Sequence, residues 1–183
     1  MTITDLSGRW EVCLDESKTD ALPTKYPDRI SLPDSTSNAG LGALNTEMEY
    51  GCLTDLHKFE GYAWFRREVE IIPEMSGKNL TLFLERTRKT RVYIDGNQIG
   101  EYCSLCPPHR YDLTGLPAGK HELIIRVDNT DYPTGGGHLT SRDAQTNWNG
   151  IVGRIELQSY SAYPEYVYCL LYTSPSPRDR TRS

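Results

Sequence analysis

Long apolar runs are missing from this 183-residue sequence. None approaches the roughly 18 to 20 residues that a helix needs to cross a bilayer, so no helical membrane span is expected. Met1 to Trp10 has neither the basic start nor the apolar middle of a secretory signal. As it stands the chain reads as soluble and cytoplasmic, or as periplasmic or secreted if a signal preceded Met1. Runs of positive charge are missing from the body too. Twenty Lys plus Arg face 25 Asp plus Glu, a net charge of −5, and a phosphate backbone is bound by clustered cations. Nucleic acid is therefore not an expected partner, and neither is a membrane.

Cysteine is scarce and odd in number, at Cys13, Cys52, Cys103, Cys106 and Cys169. A chain of this length buries roughly two thirds of the surface it exposes when unfolded and needs no covalent staple, so free thiols are expected over a disulfide framework. No Gly-x-Ser-x-Gly elbow occurs, and none of His57, His109, His121 and His138 pairs with another at i, i+4 spacing. Cys103-Ser-Leu-Cys106 has the spacing of zinc and thiol-exchange motifs but lacks a second ligand pair and a helix start. It reads as a loop, and no metal or cofactor is expected.

Helical periodicity is absent over any three turns, whereas period-two alternation is common. Leu80, Leu82 and Leu84 share one face; Leu123, Ile125 and Val127 repeat the pattern, as do Val92 with Ile94 and Ile155 with Leu157. Phe65, Val69 and Ile71 share a parity interrupted by Arg67, while Trp64, Arg66, Glu68 and Glu70 take the other face, which should be wet. Asp95-Gly96 supplies the positive φ angles of a tight hairpin, and Leu116-Pro-Ala-Gly119 is a turn. The pattern predicts an all-β fold, an antiparallel two-sheet sandwich. Pro33 to Gly61 is long and polar enough to be a functional excursion.

The polar loop between Asp128 and the strand ending at Leu157 carries His138, Arg142, Asp143, Gln145, Asn147 and Trp148. Amides and carboxylates bond paired hydroxyls, and an indole packs on the apolar side of a pyranose, so this set has the chemistry of sugar recognition. The same residues could instead cap the core with Trp148 and tie the loop down. After it, Tyr172 to Ser183 holds three Arg, one Asp and two Pro with no apolar period, and is expected to be disordered. Without that stretch's three arginines and one aspartate the charge falls from −5 to −7.

Several segments together resemble the N-terminal sugar-binding jelly-roll (galactose-binding-like) domain of glycoside hydrolase family 2, which includes β-galactosidases, β-glucuronidases and β-mannosidases. Leu6-Ser-Gly-Arg-Trp10 resembles its opening strand, and Gly61-Tyr-Ala-Trp-Phe-Arg-Arg-Glu-Val69 its G-x-x-W-Y-R-R strand. Val92-Tyr-Ile-Asp-Gly-Asn97 is similar to its V-W-V-N-G hairpin, and Tyr111-Asp-Leu-Thr114 to its F-D-L-T segment. His121 to Asn129 and Trp148-Asn-Gly-Ile-Val-Gly-Arg154 resemble its last two signatures. All six fall in family order.

The resemblance implies a sandwich over residues 1–160 and the start of a linker at 161–169; separately, Leu170 to Ser183 resembles translated adapter or vector read-through, so 170–183 is expected to be a non-native tail. The family resemblance also implies a retaining, β-galactosidase-like parent with immunoglobulin-like and TIM-barrel domains beyond this chain. In the family both catalytic carboxyl groups lie in the barrel, the acid within an Asn-Glu pair, and no Asn-Glu dipeptide occurs here. No catalytic residue is assigned. Asp143, Gln145, Asn147 and Trp148 are the expected contacts to a non-reducing-end sugar, and Arg66 and Arg67 are expected to pair with carboxylates. An autonomous carbohydrate-binding module or lectin is the alternative.

Overall fold

The computed structural model describes residues 1–46, 55–132 and 147–162, and every strand in it pairs antiparallel. In chain order the strands are β1 (Thr2–Asp5), β2 (Gly8–Asp15), β3 (Asp28–Leu32), β4 (Asp34–Ser35), β5 (Ala43–Leu44), β6 (His57–Lys58) and β7 (Tyr62–Ile71). They continue with β8 (Asn79–Leu84), β9 (Lys89–Ile94), β10 (Asn97–Tyr102), β11 (His109–Asp112), β12 (Gly119–Asp128), β13 (Gly150–Ile151) and β14 (Ile155–Tyr160). One sheet has the order β1-β14-β8-β11 and the other β10-β9-β12-β7-β2-β3. This is the two-sheet antiparallel sandwich that the alternating pattern predicts.

Alternation places the core. Leu80, Leu82, Leu84, Tyr111, Ile155 and Leu157 come from the smaller sheet, and Val12, Phe65, Val69, Val92, Leu123, Ile125 and Val127 from the larger; all are buried in one cluster. The hairpin between β9 and β10 turns through Asp95 and Gly96, at φ of 49° and 78°, the left-handed pair its sequence calls for.

The larger sheet departs from expectation on its outer face. Trp64 was expected on the wet side of β7, yet it is fully buried. The connection from β2 to β3 lays Leu22 and Tyr26 over it, and Tyr26, Trp64, Tyr93 and Ile124 form a second small apolar cluster. The long β2–β3 connection thus dries one patch of an otherwise charged face. Around it the charges pair: Arg66 Nε donates to Glu11 at 2.6 Å, and Arg29 lies 2.8 Å from the same carboxylate. Arg66 therefore meets its expectation. Arg67 does not. It points inward and donates Nη1 to the carbonyls of Leu6 and Ser7 at 2.5 and 3.0 Å, bonding backbone in place of a carboxylate.

Two histidines end up in opposite states. His109 is buried and lies 2.6 Å from Thr90 Oγ1 through Nδ1 and 2.8 Å from the Ser104 carbonyl through Nε2. A carbonyl only accepts, so Nε2 carries the proton and Nδ1 accepts from Thr90. Burial pushes this imidazole below its ordinary pKa. His121 is raised instead, chiefly because Nδ1 bonds the Asp95 carboxylate at 2.6 Å. The signs follow by linkage. A depressed histidine binds protons more weakly in the folded state, so its contribution is full above about pH 6.5 and is lost as pH falls below that value. The raised His121 contributes below about pH 6.5 and loses its contribution as pH rises through its folded pKa.

Two outcomes are expected. Leu82→Ala, which empties a fully buried site between the sheets, should cost about 2–5 kcal/mol in urea unfolding. In His121→Gln, stability should rise from pH 5.5 to pH 7 as the unfolded state's hold on the His109 proton weakens, and a flat profile would rule out a neutral buried His109.

Candidate functional site

The rim at one end of the sandwich is assembled where β12 leaves the larger sheet and residues 147–149 return to it. Two buried asparagines hold it. Asn129 donates Nδ2 to the Phe59 and Asn147 carbonyls, each at 2.8 Å, and accepts from the Gly61 backbone N–H at 3.0 Å. Asn149 donates Nδ2 to the Gly61 and Val127 carbonyls at 3.3 and 3.2 Å, and its own carbonyl accepts from Thr36 N–H at 2.9 Å. Three chain segments, at 59–61, 127 and 147, are thereby pinned by side-chain amides, and Thr36 is joined through the Asn149 backbone carbonyl. Gly150 completes the join: at φ 128° a Cβ there would sit 2.5 Å from the Asp34 carbonyl oxygen, so only glycine lets β13 reach β4.

Of the four residues expected to touch sugar, Asp143 and Gln145 lie outside the described residues. Asn147 and Trp148 are on the rim. Asn147 is exposed, but its amide hydrogens are in use, donated to the Asn129 carbonyl at 2.9 Å and to Glu60 Oε1 at 3.2 Å. Among the described residues its Oδ1 receives only a long bond from Tyr132 at 3.5 Å. What Asn147 can offer a ligand is therefore an acceptor. Trp148 is half-buried and stands outside the apolar core, with the Arg88 guanidinium 4.2 Å from its ring centre. Arg88 Nε also donates to the Trp148 carbonyl at 3.2 Å, fixing the indole from both ends.

Sequence reasoning missed Arg88, Lys89, Tyr132 and Glu60. Lys89 lies 2.7 Å from the buried Asp128 carboxylate and donates to the Asp131 carbonyl at 3.0 Å, while Lys18 reaches the Asp131 carboxylate at 2.6 Å. Burial pushes the Tyr132 phenol up to about 12, so it remains a donor. The available signal was three cations within four residues, Arg86, Arg88 and Lys89, at the start of the β9 hairpin, too few to be a phosphate-binding run. Its meaning depends on β9 lying beside β12, where Lys89 is the register partner of Asp128.

The rim thus presents a half-buried indole and phenol and an amide oxygen, with Arg88 buried against the indole and Lys89 paired to Asp128. A glycosidic general acid needs a raised carboxyl pKa, whereas Asp5, Glu85, Asp95, Asp112 and Asp131 are all moved down, chiefly by hydrogen bonds from Ser7, Arg154, His121, Thr114 and Lys18 respectively. Cys103 and Cys106 are exposed free thiols, and the described residues contain no group of three or more His, Cys, Asp or Glu able to hold a metal.

Neither a family model nor a curated protein matches the sequence. Solved structures do match it in fold. A β-glucuronidase from an uncultured Clostridium species superposes with a TM-score of 0.64 at 18% identity, covering 86% of this chain and 29% of its own. A Faecalibacterium prausnitzii β-glucuronidase gives 0.59 at 19%, covering 86% and 31%, and one from Ruminococcus gnavus gives 0.61 at 16%, covering 86% and 28%. The sandwich is a fold that β-glucuronidase chains contain. This chain spans less than a third of their length.

The asparagine pins make a specific demand. Asn129→Leu deletes both amide donors and the acceptor of the Gly61 N–H, which should cost roughly 2–4 kcal/mol and accelerate hydrogen exchange at the Gly61 amide; an unchanged exchange rate there would dismiss the pin.

Proposed function

We propose that this chain is the non-catalytic, N-terminal carbohydrate-binding sandwich of a retaining glycoside hydrolase of family 2, and that its rim holds the non-reducing-end sugar against a pocket completed by other domains. The observation that carries the reading is the sandwich itself, matched over 86% of the chain by β-glucuronidase chains of which it covers less than a third. The six sequence segments in family order support it. So does the rim, where Trp148 offers an apolar plate and Asn147 an acceptor, beside the loop carrying Asp143 and Gln145.

Division of labour follows from the chemistry. Retaining hydrolysis needs a nucleophilic carboxylate and a carboxylic acid about 5 Å apart, and the carboxyl groups whose pKa moves here are held ionised. On this reading the sandwich contributes positioning, and the reaction occurs on an attached TIM barrel. A sugar seated only on Trp148 and a few polar groups is bound weakly, because loss of rigid-body freedom offsets a small contact.

The full chain should therefore leave nitrophenyl glycosides intact and bind glucuronic acid, galactose and mannose with Kd no tighter than about 1 mM in isothermal titration. In the uninterrupted parent enzyme, Trp148→Ala should lower kcat/KM by about tenfold or more. Sub-millimolar binding by this chain alone would establish the lectin instead, and turnover abolished by an acid-to-amide change here would overturn the non-catalytic role.

A further inference from the structure

Tyr102 closes β10 and His109 opens β11, and their rings stack with centroids 5.0 Å apart and planes 14° from parallel. The six residues between them, Cys103 to Pro108, therefore leave the sandwich and return to the same place. They cross from the edge of the larger sheet to the edge of the smaller one. Tyr102 is the register partner of Thr90, next to Lys89, so the loop emerges at the same end as the rim. Its anchors lie inside. The Ser104 carbonyl accepts from Nε2 of the buried His109 at 2.8 Å, and the Tyr102 hydroxyl donates to the Arg110 carbonyl at 2.8 Å.

Exposure within the loop follows from those anchors. Ser104 and Leu105 are half-buried, whereas Cys103 and Cys106 on either side of them are exposed free thiols. Two inward residues thus hold two thiols on the outer side of one short arc. A disulfide needs Cα atoms about 4.4–6.8 Å apart, and the chain bends at Leu105, Cys106 and Pro107, which draws residues three apart toward that range. Beyond the bend Pro107 and Pro108 fix their own φ, and Pro107 confines Cys106 to extended backbone, so the returning arm is stiff. Much of the ordering that a Cys103–Cys106 bond demands is therefore already supplied by the fold. A metal is a poorer occupant. Two thiolates fill half of a tetrahedral shell, and the described residues hold no group of three or more His, Cys, Asp or Glu able to take one.

We propose that Cys103 and Cys106 form a thiol–disulfide exchange site for a small-molecule disulfide, whose reduction closes the β10–β11 loop with a reversible Cys103–Cys106 bond. The reaction balances as exchange. One cysteine thiol, deprotonated, attacks the small disulfide RSSR; a new S–S bond forms as the old one breaks, and the departing RS⁻ takes up a proton. The second cysteine, deprotonated in turn, attacks that mixed disulfide and expels the other RSH. Two cysteine thiols lose two electrons and two protons, and RSSR becomes two RSH. Closure fixes the arc that presents the Ser104 carbonyl to His109, and the exchange does not depend on what the rim binds.

The test equilibrates the full chain with mixtures of reduced and oxidised glutathione, blocks remaining thiols with iodoacetamide, and follows the peptide holding both cysteines by mass spectrometry. That peptide is expected to carry an internal disulfide, with neither a blocking group nor glutathione. Its oxidised-to-reduced ratio should follow oxidised glutathione over the square of reduced glutathione. The equilibrium constant should be about tenfold or more larger in the native chain than in the same chain unfolded in urea. Cys103→Ser and Cys106→Ser should each hold glutathione on the remaining cysteine; both positions are exposed, so the variants keep the fold. The proposal fails if the loop stays fully alkylated or carries glutathione on both cysteines, or if either cysteine is bridged to Cys13, Cys52 or Cys169. Equal constants in the native and unfolded chain, or variants that capture no glutathione, would also overturn it.

Discussion

Backbone polar groups buried where strands end must find partners, and at one end of this sandwich two carboxamides meet that requirement. Asn129 and Asn149 carry no charge, so their burial avoids the desolvation penalty of an ion; Asn129 supplies two donors and an acceptor, and Asn149 supplies its donors. Between them they join the segments around Phe59 to Gly61, Val127, Asn147 and Thr36. Everything on the rim inherits its position from these bonds. Asn147 is placed by the Asn129 amide, Trp148 follows it in the chain, and Arg88 then locks the indole. The apolar core makes the sandwich stable, while the amides decide what its open end presents.

The two faces of the larger sheet divide the remaining work. The inner face is almost wholly apolar. The outer face is a lattice of guanidinium and carboxylate pairs around one dry patch formed by Tyr26, Trp64, Tyr93 and Ile124. Surface pairs of this kind contribute little to stability singly.

The rim and the β10–β11 loop share one end of the sandwich and differ in kind. The rim is aromatic and amide-rich, with most hydrogen-bonding capacity already committed to holding the loops. The β10–β11 loop is anchored by the bond from His109 to the Ser104 carbonyl and leaves two thiols outward.

Much of this was legible in the residue order because burial on one face leaves a period-two trace. Leu80, Leu82 and Leu84, or Leu123, Ile125 and Val127, could hardly be anything but half-buried strands, and Asp95-Gly96 marked its own hairpin. The sandwich was determined at that level. Trp64 was misplaced because its cover, Leu22 and Tyr26, comes from a distant connection that alternation cannot see. Arg67 was misassigned for a like reason: the carbonyls it bonds become available only where β2 and β7 part. Trp148 and Asn147 could be nominated by chemistry, but Arg88, Lys89 and Tyr132 joined them only through the pairing of β9 with β12. Local sequence carries the periodicity of burial, so it settled the fold class; contacts between residues far apart in the chain carry no local trace, so only the tertiary structure decided which polar groups meet at the rim.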